Sequence, residues 1–325
     1  MKVRHLSVRV TRAMRAVLVT CASLALAGCA TWGVARRHAP TELPGTAELE
    51  LQVGDVMRTY LLHVPEHRPR RFGRAEPYPL VIVLHGSGAS GQTVRDMSRL
   101  DSLADATPFL VAYPDATRNW LGLQSAWNAG DCCGPAVRNE VDDVGFVRAL
   151  IAHIAGGLPV DHRRIYVAGF SDGGRMAYRL GCTLSSEIAA IGVVAGSLMD
   201  SRCAPARAVP LIAFHGTADT EVAFADSSYS ASRNAPVVVS AAVPPAVSFW
   251  AANNACKGAT VAQRAPTVTR VRYTGCAADV VFFSIAGGGH AWPGGDQDGD
   301  DDAVPTRELF ASAEMMRFFL RHALP

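Results

Sequence analysis

Apolar residues along this chain come in short continuous runs separated by amphipathic stretches. Residues 80–84, 109–113, 165–168, 189–195, 211–214 and 280–285 are such runs, of the length expected for strands covered on both faces. Between them, Val144, Val147, Ile151 and Ile154 recur at helical spacing behind Asp142 and Asp143, whose charge suits a helix N-terminus. Residues 175–184 also read as a helix. A last helix is predicted from a Thr306 cap to Leu320, with Leu309, Phe310, Ala313, Met316 and Phe319 or Leu320 facing inward. Ahead of the series, residues 48–53 and 58–64 alternate apolar and polar, as a hairpin at a sheet edge does. Strands alternating with helices predict an α/β fold with a mostly parallel central sheet and helices on both faces.

The N-terminus has a different pattern. Lys2, Arg4, Arg9, Arg12 and Arg15, with no acid among them, precede an apolar segment at 16–27. That segment has the length of a signal-peptide core and is too short to span a bilayer. It ends in Leu26-Ala27-Gly28-Cys29, which resembles the lipobox of bacterial lipoproteins, where the cysteine is acylated and anchors the mature chain to a membrane. Cleavage after Ala25-Leu26-Ala27, releasing a secreted protein, is the alternative. The expected organisation is a signal peptide at 1–28, a tether at 29–46 containing Pro40 and Pro44, and one catalytic domain at 47–325. The formal charge of +2 depends on the signal, because 26 basic and 29 acidic residues remain without it. No basic stripe with interleaved aromatics is present, so nucleic acid is not an expected partner.

Export also fits the cysteines. Leaving out Cys21 and Cys29, six remain: Cys132, Cys133, Cys182, Cys203, Cys256 and Cys276. An even set in an oxidising compartment suggests disulfides. Local spacing favours Cys182–Cys203 and Cys256–Cys276, leaving Cys132 and Cys133 as a vicinal pair or free thiols. No zinc-site spacing occurs, and no metal or cofactor is expected.

The sharpest chemical signal is Gly169-Phe170-Ser171-Asp172-Gly173-Gly174, a G-x-S-x-G motif between a strand and a helix. A serine hydroxyl is a poor nucleophile unless it is exposed beside a base, and a sharp turn presents it. The Asp172 N–H, at the helix N-terminus, would face developing negative charge. A plain glycine-rich turn of a nucleotide-binding protein is the competing reading of this motif alone. Leu84-His85-Gly86-Ser87-Gly88 follows another strand and offers the Ser87 N–H as a second oxyanion donor, with the His85 imidazole in a structural role. His215-Gly216-Thr217-Ala218-Asp219 and Gly287-Gly288-Gly289-His290 each follow a further strand. Ser171, Asp219 and His290 thus run in the order Ser…Asp…His, with Glu221 and Asp226 as rival acids.

At these residues the chain resembles the extracellular polyhydroxybutyrate depolymerase and feruloyl esterase group, including LpqC-type lipoproteins and type-one carbohydrate esterases. Further matching segments are Tyr113-Pro114-Asp115, Trp127-Asn128-Ala129-Gly130, Cys132-Cys133-Gly134, Val141-Asp142-Asp143-Val144-Gly145-Phe146 and His290-Ala291-Trp292-Pro293-Gly294-Gly295. The resemblance implies an α/β-hydrolase fold, ester hydrolysis without a cofactor, and an aromatic beside the catalytic histidine. Trp292 fits that place, and Trp127 is expected to line the same crevice, with core packing as the competing role for each. Polymer-degrading members carry a separate binding domain, so soluble or oligomeric esters are the expected substrates. Asp296, Asp298, Asp300, Asp301 and Asp302 begin like a calcium loop, but Gly299 is displaced and Arg307 stands where the closing acid belongs, so a solvated loop is expected. A peptidase of the same fold and a non-catalytic surface lipoprotein are the two other classes compatible with the pattern.

Overall fold

The computed structural model describes residues 43–118, 125–225, 244–296 and 303–325. Cys29, the apolar segment before it, most of the tether, Asp226, Asp298, Asp300, Asp301 and Asp302 lie outside the described residues. In chain order the elements are β1 (Gly45–Val53), β2 (Val56–Val64), β3 (Arg70–Arg71), β4 (Arg74–Ala75), β5 (Tyr78–Leu84), α1 (Gly91–Ser98), α2 (Leu100–Ala106) and β6 (Leu110–Pro114). Then come β7 (Thr117–Arg118), β8 (Ser125–Ala126), α3 (Gly134–Arg138), α4 (Asp143–Gly157), β9 (Val160–Phe170), α5 (Asp172–Thr183), β10 (Ala190–Val194) and β11 (Leu211–Gly216). The chain ends with α6 (Pro245–Asn253), β12 (Gly258–Ala265), β13 (Val268–Thr274), β14 (Val280–Ile285) and α7 (Ala311–Phe319).

A ten-stranded sheet, in the order β1-β2-β6-β5-β9-β10-β11-β14-β13-β12, carries the fold. The six strands from β6 to β14 run parallel, and an antiparallel hairpin closes each edge. The chain steps from β5 to β6 on one side and then returns to β9 on the other. Such a reversal opens a crevice beyond the carboxyl ends of the strands, here between β5 and β9.

All seven residues of β5 are buried. Leu80, Ile82 and Leu84 join the core beneath α4, α5 and α6, while Val81 and Val83 join the opposite core beneath α1, α2 and α7. Alternate residues of a strand point to opposite faces, so two covered faces produce the uninterrupted apolar run seen in sequence. The α4 N-terminus is capped by the Asp142 carboxylate, which accepts the Gly145 N–H at 2.8 Å.

Three expectations need correction. β1 begins at Gly45, inside the expected tether. α5 begins at Asp172, three residues before the predicted start. The last helix begins at Ala311, and Thr306 does not cap it. Around residue 306 the backbone bonds instead to the preceding loop, through Gly294 N–H to Thr306 O at 2.8 Å and Ala311 N–H to Pro293 O at 2.9 Å. Phe310 is left 54% exposed, and Met315, Met316, Phe318 and Phe319 face the core in its place. The hairpin β12–β13 and helices α1, α2 and α6 are elements not predicted from the sequence, and β12, at the sheet edge, has no buried residue.

Three disulfides form among the described residues: Cys132–Cys133, Cys182–Cys203 and Cys256–Cys276. They match the favoured pairing and resolve the vicinal cysteines as bonded. Cys182–Cys203 fastens the end of α5 to the segment before β11 across 21 residues. Replacing both cysteines with alanine should lower unfolding stability by about 3 kcal/mol, the chain-entropy cost of a loop near that size. The urea midpoint of the purified variant measures it, and an unchanged midpoint would contradict it.

Candidate active site

Ser171 stands between the end of β9 and the start of α5 with φ 54° and ψ −118°. A side chain in this region costs about 1–3 kcal/mol, tolerated only where surrounding contacts impose it. Ser171 N–H donates to Val194 O and Arg175 N–H to Ser171 O, each at 3.0 Å. The flanking glycines allow the backbones to meet: a Cβ on residue 169 would strike the Gly173 carbonyl, and one on residue 173 the Leu84 and His85 carbonyls. The β9–α5 turn therefore packs directly on the end of β5.

His290 comes from the loop after β14, and its Nδ1 lies 2.9 Å from Asp219 Oδ2 and 3.1 Å from Oδ1. Both residues are buried. Asp219 Oδ1 also accepts the Glu221 and Val222 amides, at 3.0 and 2.9 Å. His215 Nε2 is 3.3 Å from Asp219 Oδ2 and 2.8 Å from Val222 O. Burial opposes ionisation of Asp219, but hydrogen bonds from His215 and His290, the charge of His290 and the Val222 amide outweigh it, holding the carboxyl well below its ordinary range. The two loops are zipped together by Thr217 N–H to Ile285 O, Ala218 N–H to Gly288 O and Gly287 N–H to Thr217 Oγ1, each 2.9 Å. Gly216 permits this approach, because a Cβ there would strike the Gly288 carbonyl. Of the rival acids, Glu221 is exposed and turns only its amide toward Asp219.

The His290 ring packs on Phe170 with centroids 4.7 Å apart, which brings the Asp219–His290 pair beside the elbow. Ser171 Oγ and His290 Nε2 form no hydrogen bond among the described residues. Such bonds are commonly long without substrate. Gly86 lies against Ser171, since a Cβ on residue 86 would come within 3.3 Å of Ser171 Cβ. The amides of Ser87, just beyond it, and of Asp172, first in α5, donate to no protein acceptor among the described residues. Ser171, the Asp219–His290 pair and the amides of Ser87 and Asp172 thus come from loops at the same end of the sheet.

A family model described as Esterase PHB depolymerase matches residues 69–255, more than half of the chain. The chain belongs to the esterase PHB depolymerase family. The esterase is 30% identical over 267 residues to a putative esterase, NocK, of Nocardia uniformis subsp. tsuyamanensis, covering 77% of this chain and 75% of the relative. It is 32% identical over 230 residues to feruloyl esterase B of Piromyces equi, covering 69% of this chain but only 41% of that protein. Its fold is shared with an acetyl xylan esterase from Aspergillus awamori, at TM-score 0.57 and 13% identity over 84% of this chain and 98% of the other. The large, mostly parallel sheet with helices on both faces is an α/β-hydrolase fold.

Both tryptophans expected in the esterase's crevice are instead buried. Trp292 donates its indole N–H to Ser312 Oγ at 3.0 Å, and that hydroxyl donates to Ser98 O at 2.6 Å, pinning α7 to α1. Trp127 donates its indole N–H to His85 O at 3.0 Å. Each ring fills core, and its polar edge is satisfied by protein, so neither offers a face to an acyl group. The imidazole of His85 has the structural role expected of it. Nδ1 donates to Gly86 O at 2.7 Å and Nε2 accepts the Ala116 N–H at 3.0 Å.

Sequence reading missed the acids behind the site. Asp172 is wholly buried, with Oδ2 accepting the Trp127 N–H at 2.9 Å. Burial pushes its carboxyl up to about 6, against the Trp127 amide and Arg175. Asp143 Oδ1 pairs with Arg58 at 2.9 Å while Oδ2 accepts the Asn128 N–H at 2.8 Å. Asp172 lies in the G-x-S-x-G motif and Asp143 in Val141-Asp142-Asp143-Val144-Gly145-Phe146, but nothing local in the sequence reveals burial. Cys132, Cys133 and Asp172 bring potential metal ligands within 4.8 Å of one another. With the sulfurs bonded to each other and Arg175 Nη1 3.4 Å from Cys133 Sγ, they do not form a donor set for a cation. Asp296 is exposed and lies 3.7 Å from Arg99.

Burial lowers the His85 pKa from 6.5 to about 4, only partly offset by its bond to Gly86. The folded imidazole therefore stays neutral at a pH where the unfolded chain takes up a proton. Stability contributed by that neutral ring is complete above about pH 6.5 and declines toward pH 4, by up to about 1.4 kcal/mol per pH unit. Asp172 titrates there with the opposite sign, so the comparison needs a variant that keeps it. His85→Gln should lose less stability between pH 7 and pH 4.5 than the wild type, read from urea midpoints. Parallel losses would refute the assignment.

Proposed function

We propose that this esterase is a serine carboxylic-ester hydrolase in which Ser171, His290 and Asp219 form the catalytic triad. The observation that carries the reading is the buried Asp219–His290 hydrogen bond, 2.9 Å long, delivered beside a serine held at positive φ. In this mechanism Ser171 Oγ attacks the ester carbonyl carbon as its proton passes to His290 Nε2. The oxygen takes the negative charge and is met by the N–H groups of Ser87 and Asp172. His290 returns the proton to the departing alcohol, leaving an acyl group on Ser171. Water, deprotonated by the same imidazole, then releases the acid. Asp219 fixes the Nδ1–H tautomer and stabilises the imidazolium, a role consistent with a carboxyl that stays ionised.

The acyl groups proposed are hydroxycinnamoyl, acetyl or short 3-hydroxyacyl. They are supported by relatives named feruloyl esterase, an acetyl xylan esterase of the same fold, and the depolymerase family description. Export is supported by the disulfides, which persist in oxidising compartments. Anchoring through an acylated Cys29 is proposed from the Leu26-Ala27-Gly28-Cys29 motif.

Turnover of aryl acetate, methyl ferulate and 3-hydroxybutyrate oligomers tests the chemistry. Ser171→Ala should abolish turnover and fluorophosphonate labelling while preserving the circular dichroism spectrum. Asp219→Asn should lower kcat by about 10⁴, the loss expected when the histidine takes the wrong tautomer. Full activity in Ser171→Ala would dispose of the mechanism. For the anchor, Cys29→Ser should move the protein from the membrane fraction to the soluble fraction, and unchanged membrane association would count against acylation.

A further inference from the structure

The two amides assigned to the oxyanion sit on separate elements, Ser87 in the loop after β5 and Asp172 at the first turn of α5. Those elements meet directly where residue 173 packs on the Leu84 and His85 carbonyls, and Trp127 adds a hydrogen bond to each of them. Its indole N–H donates at 3.0 Å to the carbonyl of His85, two residues before Ser87. Its backbone N–H donates at 2.9 Å to Asp172 Oδ2. Its own carbonyl accepts the Cys133 N–H at 3.1 Å, so every polar atom of the residue is engaged. The ring is fully buried and tilts against the His85 imidazole, with centroids 5.2 Å apart. From behind, the Asn128 amide is held by Asp143, which Arg58 neutralises.

We propose that Trp127 is a positioning residue that sets the distance between the two oxyanion donors, bridging the β5 loop and the α5 N-terminus through its own two N–H groups. The proposal rests on the reading that Ser87 and Asp172 serve that oxyanion. Such donors act at about 2.7–3.1 Å from the charged oxygen of the transition state. A misplacement near 1 Å can cost about 100-fold in rate. Because the charge is small in the bound ester and large in the transition state, loosening the bridge lowers kcat and leaves KM nearly unchanged.

Trp127→Phe keeps an aromatic ring and the backbone N–H but removes the bond to His85. Trp250→Phe is the control. Trp250 is equally buried and donates its indole N–H to Val209 O at 2.7 Å, in the core beneath the sheet. On aryl acetate, Trp127→Phe should lose about 10- to 100-fold in kcat with KM within about threefold. Trp250→Phe should keep wild-type kcat even if its melting temperature falls. Wild-type kcat in Trp127→Phe, or an equal loss of kcat in both variants, would overturn the proposal. Should Trp127→Phe not fold, Asp172→Asn and Asp172→Ala read the other end of the bridge. Asparagine still offers an oxygen to the Trp127 N–H and should exceed alanine in kcat by about tenfold; equal values would overturn the bridge. An active Ser171→Ala would remove the underlying mechanism as well. An inactive Ser171→Ala beside an unimpaired Trp127→Phe would remove the positioning role alone.

Discussion

The site depends on a backbone contact that no side chain could share. Where β9 turns into α5, residues 169 and 173 approach each other and the end of β5 so closely that a Cβ at either would collide with a carbonyl. Glycine at both places lets the turn close, and closure forces Ser171 to φ 54°. The strain is local and small beside the core that opposes it, because β5 is buried throughout and pairs with the buried second half of β9, Leu80 to Leu84 against Ile165 to Gly169. The same pairing sets the β5 loop beside the serine. One packing constraint thus presents the hydroxyl and brings the loop after β5 against it.

Buried carboxylates organise the rest, each in its own way. Asp219 is surrounded by donors on every side and stays ionised, suited to face an imidazole that gains charge. Asp172 has one donor, and its Oδ1 is buried without a hydrogen bond among the described residues, so burial raises it. Asp143 is pushed up by burial and drawn back by Arg58 and the Asn128 amide. Asp172 and Asp143 hold consecutive amides, those of Trp127 and Asn128. The loop that carries the tryptophan is thereby tied to the N-termini of α5 and α4.

Much of this was legible in the sequence because it is local. The six parallel strands were apolar runs, the elbow was a glycine pattern, and the order Ser171, Asp219, His290 followed from which strand each succeeds. The disulfides Cys182–Cys203 and Cys256–Cys276 were favoured by spacing alone. The last helix was misread because Leu309 and Phe310 continue the helical apolar spacing of 313–320, yet the backbone around them bonds to the loop at 293–294. Trp292 was misread for a related reason: a side chain between glycine-rich turns looks available, and only the packing of α7 shows that it is covered.

The sequence by itself determined the layers and the elbow, which follow from periodicity and glycine placement, and set the candidate serine, acids and histidine in their order along the chain. Tertiary structure decided which acid meets the histidine, which aromatics are core, and which buried carboxylates fasten the loop between them. Those outcomes depend on desolvation and on hydrogen bonds between residues far apart in sequence, 71 positions for His290 and Asp219 and 45 for Trp127 and Asp172. A local pattern carries no information about either.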